Sequence, residues 1–198
     1  MKKFVVFLIC LLVAAAPAGA LSGFDIGIKG GIADNFDQPG LSISSYDLGR
    51  LNLMGAQVFA STLPLIDLIA AADYTWRTET YSILGQGFEF KLRDLAVTAS
   101  VVYPIKLPLA NLYVGVGGGT HSFSYEYIRP VTLSLADNDI FVPEGATYTG
   151  YHGLIGAKTN LRVLPLGIFI EGRWATINTP GENTSFNTWA GGLYFSLP

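Results

Sequence analysis

The chain has 198 residues, 50% of them hydrophobic and 14% charged, with a formal net charge of −3 and no basic run. That balance excludes nucleic acid as a partner. A mean hydropathy of +0.40, with no apolar segment after residue 20 long enough to span a bilayer as a helix, excludes a helical membrane protein and asks for many short apolar segments instead.

Residues 1–20 have the layout of a secretory signal: Lys2 and Lys3, a continuous apolar run from Phe4 to Ala16, and a small-residue cleavage site at Ala18-Gly19-Ala20. The single cysteine, Cys10, lies inside that run, so the mature chain, 21–198, is expected to carry no thiol, disulfide or cysteine metal site. Removing Lys2 and Lys3 takes the net charge from −3 to −5. The mature chain is expected to be one domain.

The first strand is expected at Phe24 to Gly31, where apolar and polar residues alternate with period 2. A polar stretch, Asp34 to Arg50, follows, and a second strand is expected from Leu51 to Ser61. The third, Asp67 to Thr80, is the clearest. Leu68, Ala70, Ala72, Tyr74 and Trp76 share one face, and Ile69, Ala71, Asp73, Thr75, Arg77 and Glu79 share the other. A polar loop is expected at Ser82 to Gly87. Strand four, Phe88 to Tyr103, slips in phase: Phe88, Phe90 and Leu92 have one parity, Leu95, Val97, Ala99, Val101 and Tyr103 the other. A bulge near Arg93-Asp94 would restore a single apolar face. Strands five to eight are expected at Asn111 to Tyr127, Thr147 to Leu161, Gly167 to Ile177 and Asn187 to Phe195.

One tripeptide recurs between these strands: Leu63-Pro64-Leu65, Leu107-Pro108-Leu109 and Leu164-Pro165-Leu166, with Leu197-Pro198 at the end. Proline cannot donate to a ladder, so each copy marks a tight turn between antiparallel strands. The connections thus alternate between long and short. The expected fold is all-β: an eight-stranded antiparallel up-and-down transmembrane β-barrel, with short turns on one side and long loops on the other.

Charge decides which face meets lipid. Tyr74 and Trp76 lie opposite Asp73, Arg77 and Glu79; Ile168, Ile170 and Trp174 lie opposite Phe169, Glu171 and Arg173. Several lipid-facing cations at about 2–4 kcal/mol each would exhaust a typical stability of about 5–15 kcal/mol. The charges are therefore assigned to the lumen. Its expected charge network is Asp25, Lys29, Asp73, Arg77, Lys158, Glu171 and Arg173. The expected aromatic girdle is Tyr74, Trp76, Trp174, Trp189 and Phe195. Eight strands leave a lumen just wide enough for side chains to fill, so charges of both signs should pair and plug it. Centring the third turn on Leu164-Pro165 sets Lys158 opposite Glu171, with Arg173 close enough to share the carboxylate.

The pattern as a whole resembles the small bacterial outer-membrane barrels of the OmpA/OmpX type, also called porin-like. The resemblance rests on the signal, the eight strands, the loop asymmetry and the stretch Gly153-Leu154-Ile155-Gly156-Ala157-Lys158 leading through a turn to Phe169-Ile170-Glu171-Gly172-Arg173-Trp174. It implies residence at the cell surface of a Gram-negative bacterium, in the outer membrane. It implies outer-membrane lipid and the barrel assembly machinery as partners. Such barrels usually end on an aromatic residue; here Leu197-Pro198 follow Phe195 and Ser196.

No catalytic or metal constellation stands out, and neither an enzyme, a cofactor nor a metal is expected. His121 and His152 are the only histidines; His121 lacks the His-x-Ser spacing of lipid A deacylases. Gly115 to Gly119 does not complete a dinucleotide motif and points to close packing. Asp137-Asn138-Asp139 lacks the remainder of a calcium loop. Loops 33–50 and 128–146 carry aromatic and acidic residues and are the candidate sites for an extracellular ligand. The expected function is therefore a monomeric outer-membrane barrel with a structural or surface-interaction role, adhesin- or receptor-like, with a plugged lumen and no catalysis. The alternatives are passive transport of small hydrophobic compounds or ions, and a lipid-modifying enzyme.

Overall fold

A computed structural model describes residues 23–37, 50–61, 65–83, 86–128, 145–161 and 164–197. The signal at 1–20, the Leu63-Pro64 half of the first turn, the Asp137-Asn138-Asp139 stretch and most of both candidate ligand loops lie outside the described residues.

Eight strands follow in order: β1 (Phe24–Asp37), β2 (Leu51–Ala60), β3 (Asp67–Ile83), β4 (Gln86–Lys106), β5 (Asn111–Ile128), β6 (Thr147–Asn160), β7 (Leu166–Ile177) and β8 (Thr184–Ser196). Each pairs antiparallel with the next, and β8 closes on β1. Closure satisfies the outer N–H and C=O groups of both terminal strands, so no edge remains to be covered. The second and third Leu-Pro-Leu segments lie at turns. Leu107 N–H donates to the Ala110 carbonyl, and Leu161 N–H to that of Leu166. The start of β1 and the end of β8 meet at this same pole: Leu197 N–H reaches the Phe24 carbonyl.

Three expectations are corrected. β1 runs on to Asp37, with a register shift against β8 between Asp34 and Asp37. The polar loop at Ser82 to Gly87 does not exist as such: β3 and β4 pair continuously up to Ile83 and Gln86, leaving positions 84 and 85 between them. There is no bulge at Arg93-Asp94 either. The β3–β4 register is unbroken from Asp67↔Val102 to Ile83↔Gln86. The parity of β4 never changes; what changes is which face is apolar. Phe90 and Leu92 point inward and are buried, whereas Leu95, Val97 and Val101 point outward and are exposed.

The lumen is accordingly layered. Near the turn pole, Phe59, Ile69, Val102, Tyr113, Leu154, Phe169 and Tyr194 form one apolar layer, with Phe59 edge-on to Tyr113, Phe169 and Tyr194. Near the opposite, loop pole, Leu51, Phe90, Leu92, Phe123, Ile177 and Phe186 head a second. Glycines make room for the large rings. A Cβ on Gly156 would stand 2.2 Å from Tyr113, and one on Gly167 would stand 2.1 Å from Tyr194. Each is the register partner of that ring's residue.

Candidate functional site

Between the two apolar layers lies a polar chamber. β1, β3 and β7 supply a quartet of charges in it. Lys29 Nζ is 3.0 Å from Asp73 Oδ1 and 3.7 Å from Glu171 Oε1. Arg173 donates from Nη2 to Glu171 Oε1 at 2.8 Å, and from Nη1 to Asp73 Oδ2 at 3.3 Å and to Thr98 Oγ1 at 3.1 Å. Tyr113 Oη donates to Glu171 Oε2 at 3.2 Å. All four charged side chains are at most 8% exposed. Two cations and two carboxylates alternate, so each charge meets two of the opposite sign. In a space this dry, that arrangement is what keeps the desolvation cost tolerable.

Above this quartet stand two further pairs. His121 Nδ1 is 2.8 Å from Asp94 Oδ2, and Ser100 Oγ is 2.8 Å from His152 Nε2. The glycine run of β5 explains the second pair: a Cβ on Gly117 would lie 2.6 Å from both His152 Nε2 and Ser100 Oγ. The run is thus close packing in the lumen, at the point where two polar side chains need the space. A cavity of about 20 Å³, lined by Asp73, Asp94, His121, His152 and Arg173 among others, lies in the chamber. A single water needs roughly 10–15 Å³, so the cavity has room for about one. Gln57, 1% exposed, is also inside, with no hydrogen-bond partner on its amide among the described residues.

The sequence-derived lumen residues fall into three places. Lys29, Asp73, Glu171 and Arg173 form the quartet. Asp25 and Lys158 form a separate pair at 3.0 Å near the turn pole, with the ammonium 4.6 Å from the Phe59 ring centroid. Arg77 sits near the loop pole, bonded to Glu79 and donating to the Arg50 carbonyl at 2.6 Å. The expected Lys158–Glu171 pair is wrong. Lys158 is opposite Phe169, and Glu171 is opposite Gly156. The turn is centred one residue earlier than Leu164-Pro165, which moves every cross-strand partner by two. The sharing of Glu171 by Arg173 does occur.

Asp94, Thr98, Ser100, Tyr113, His121 and His152 were not anticipated as chamber residues. Asp94, Thr98 and Ser100 share one parity, which an uninterrupted β4 would have revealed. Among the described residues, no group of three His, Cys, Asp or Glu is placed to hold a metal. Ser100–His152 has the contact distance of a nucleophile and its base, but it lies inside a space that admits one water.

On the outer face, Tyr74 stacks on Trp76 with centroids 5.6 Å apart, and Trp174 meets Trp189 edge-on at 5.8 Å. Phe195 lies towards the turn pole, opposite Leu166.

Neither a protein-family model nor a curated protein matches this sequence. Solved structures do. Neisserial surface protein A superposes with a TM-score of 0.57 at 16% identity, over 88% of this chain and 97% of that one. The attachment invasion locus protein Ail of Yersinia pestis superposes with a TM-score of 0.50 at 16% identity, over 88% of this chain and 98% of that one. The chain has the fold of the eight-stranded outer-membrane barrels. The outward positions from Trp76 down to Leu68, and from Trp174 down to Leu166, form two rows on the outer face. Here they carry no charge.

Proposed function

We propose that this is a bacterial outer-membrane barrel of the cell surface whose lumen is closed to solutes, and whose role is structural or surface-interacting rather than transporting or catalytic. The layered lumen carries the reading. An ion crossing it would have to pass Phe59, Phe169 and Tyr194, break the Lys29–Asp73–Arg173–Glu171 quartet, and then pass Leu92, Phe123 and Phe186. The uncharged outer belt supports residence in a bilayer. The aromatic pairs Tyr74–Trp76 and Trp174–Trp189 are assigned to a girdle at its upper edge. Export by the segment at 1–20 and insertion by the barrel assembly machinery belong to the same reading.

The surface-interaction part draws on two observations. β3 and β4 continue as a paired ribbon for seven residues beyond Trp76, as far as Ile83. The names of the two similar proteins, a surface protein and an attachment protein, point the same way. An extracellular ligand would be met by that ribbon and by the loops at 33–50 and 128–146.

The test is conductance. Folded protein in planar bilayers is expected to give no steady single-channel current. A reproducible open-pore conductance from folded monomer would overturn the closed-lumen reading.

A further inference from the structure

The polar chamber holds more than its ion pairs. Across the β4–β5 ladder His121 is the register partner of Ala96, and across β6–β7 His152 is that of Ala175. Both alanines are buried. A methyl group fills little of the space beside an imidazole, and both alanines and both histidines line the cavity of about 20 Å³.

The same walls carry unmet hydrogen bonds. Outside the Gln57 amide, the buried side-chain atoms without a hydrogen-bond partner among the described residues are Asp73 Oδ1, Asp94 Oδ1 and Arg173 Nε. All three residues line this cavity, and none is more than 6% exposed. Their other polar atoms are engaged. Asp94 Oδ2 meets His121, Asp73 Oδ2 accepts from Arg173, and Arg173 Nη1 and Nη2 serve Asp73, Thr98 and Glu171. Asp73 Oδ1 has the Lys29 ammonium beside it as an ion-pair neighbour at 3.0 Å.

These three atoms define the chemistry of an occupant. Two are carboxylate oxygens, which accept; the third is an N–H, which donates. A cation could sit against the carboxylates but could not accept from Arg173 Nε. An anion could accept from Nε but would face two carboxylates. A small neutral molecule with two donors and a lone pair satisfies all three atoms. Water is such a molecule: it needs roughly 10–15 Å³, and buried waters make about three hydrogen bonds.

We propose that the chamber binds one structural water, which donates to Asp94 Oδ1 and Asp73 Oδ1 and accepts from Arg173 Nε–H. The water joins the His121–Asp94 pair to the quartet. One hydrogen-bonded network then runs through Lys29 on β1, Asp73 on β3, Asp94 on β4, Tyr113 and His121 on β5, and Glu171 and Arg173 on β7. It ties strands together across the lumen that have no ladder in common.

The site rests on the closed-lumen reading, because an open lumen would set bulk water against the same atoms. It is tested by a rotating-frame Overhauser experiment between water and Arg173 Nε–H. The chain is labelled with nitrogen-15 and carbon-13, deuterated at carbon and refolded into detergent micelles, and the Nε–H is assigned through its own side-chain carbons. A bound water is expected to give a cross-peak at the water frequency opposite in sign to the diagonal, as a dipolar contact does. A peak of the same sign as the diagonal would report exchange with bulk water, and both the site and the closed lumen would fail. No peak would mean a dry cavity; the site would fail and the closed lumen would stand. Two variants separate water from a neighbouring hydroxyl. Thr98→Val removes the hydroxyl bonded to Arg173 and is expected to leave the peak in place. Ala96→Val fills the cavity and is expected to weaken the peak at least several-fold. A peak lost in Thr98→Val, or kept at full intensity in Ala96→Val, would overturn the water site.

Discussion

The barrel has two sections built from the same strands with opposite polarity. In the belt section, Leu95, Val97 and Val101 face out and Asp94, Thr98 and Ser100 face in. In the section nearer the loops, Phe90 and Leu92 face in, while Glu89, Lys91 and Arg93 face out and pair on the surface, Lys91 with Glu89 and Arg93 with Glu126. β4 passes from one section to the other without a bulge. A strand's two faces are assigned by the pleat, but which of them is apolar is set by the solvent outside. Lipid outside permits a polar lumen, provided its charges pair. Water outside demands the ordinary apolar interior. The inversion falls at the level of Trp76 and Arg93, which are register partners.

Breaking the polar lumen should have the largest effect. Glu171 meets Lys29, Arg173 and Tyr113, so Glu171→Ala leaves two buried cations on one remaining carboxylate. A loss of about 3–5 kcal/mol is expected, read as a lower urea midpoint for the folded barrel in detergent micelles. Adding Lys29→Met should restore part of it. If the two losses simply add, the quartet is not a coupled unit.

The inversion itself is tested by a matched pair of truncations. Leu92 is 0% exposed in the loop-side apolar layer, so Leu92→Ala should cost about 2–5 kcal/mol through the cavity it leaves. Leu95, 47% exposed on the other face, should cost under about 1 kcal/mol as Leu95→Ala, because lipid refills the space and little buried area is lost. Equal losses would mean that both residues are buried, and the inversion would be wrong.

The smallest effect is expected outside. Arg93 and Glu126 are 3.1 Å apart but 44% and 47% exposed. Arg93→Ala should change stability by about 0.2–1 kcal/mol, less in high salt. A salt-insensitive loss of several kcal/mol would place this pair in a low-dielectric setting and move the inversion level upward.

Much of the barrel was legible because period-2 alternation and proline punctuation are local. Eight strands, the turn pole and the lumen assignment of Asp73, Glu171 and Arg173 follow from residues within a few positions of one another. So does the outward direction of Trp76 and Trp174. What failed depended on distance. An apolar phase slip in β4 has two local explanations, a bulge or a change of surroundings, and the choice between them needs the neighbouring strands. The register of β6 against β7 depends on where within Leu161–Leu166 the chain reverses. An error of one residue there exchanged Phe169 for Glu171 opposite Lys158. Asp25 is 133 residues from Lys158, and Ser100 is 52 from His152. By itself, the sequence determined that this chain closes into a barrel with the charges of its belt section inside. Only the tertiary structure decided which charges meet, because barrel closure and strand stagger juxtapose residues that no local pattern relates.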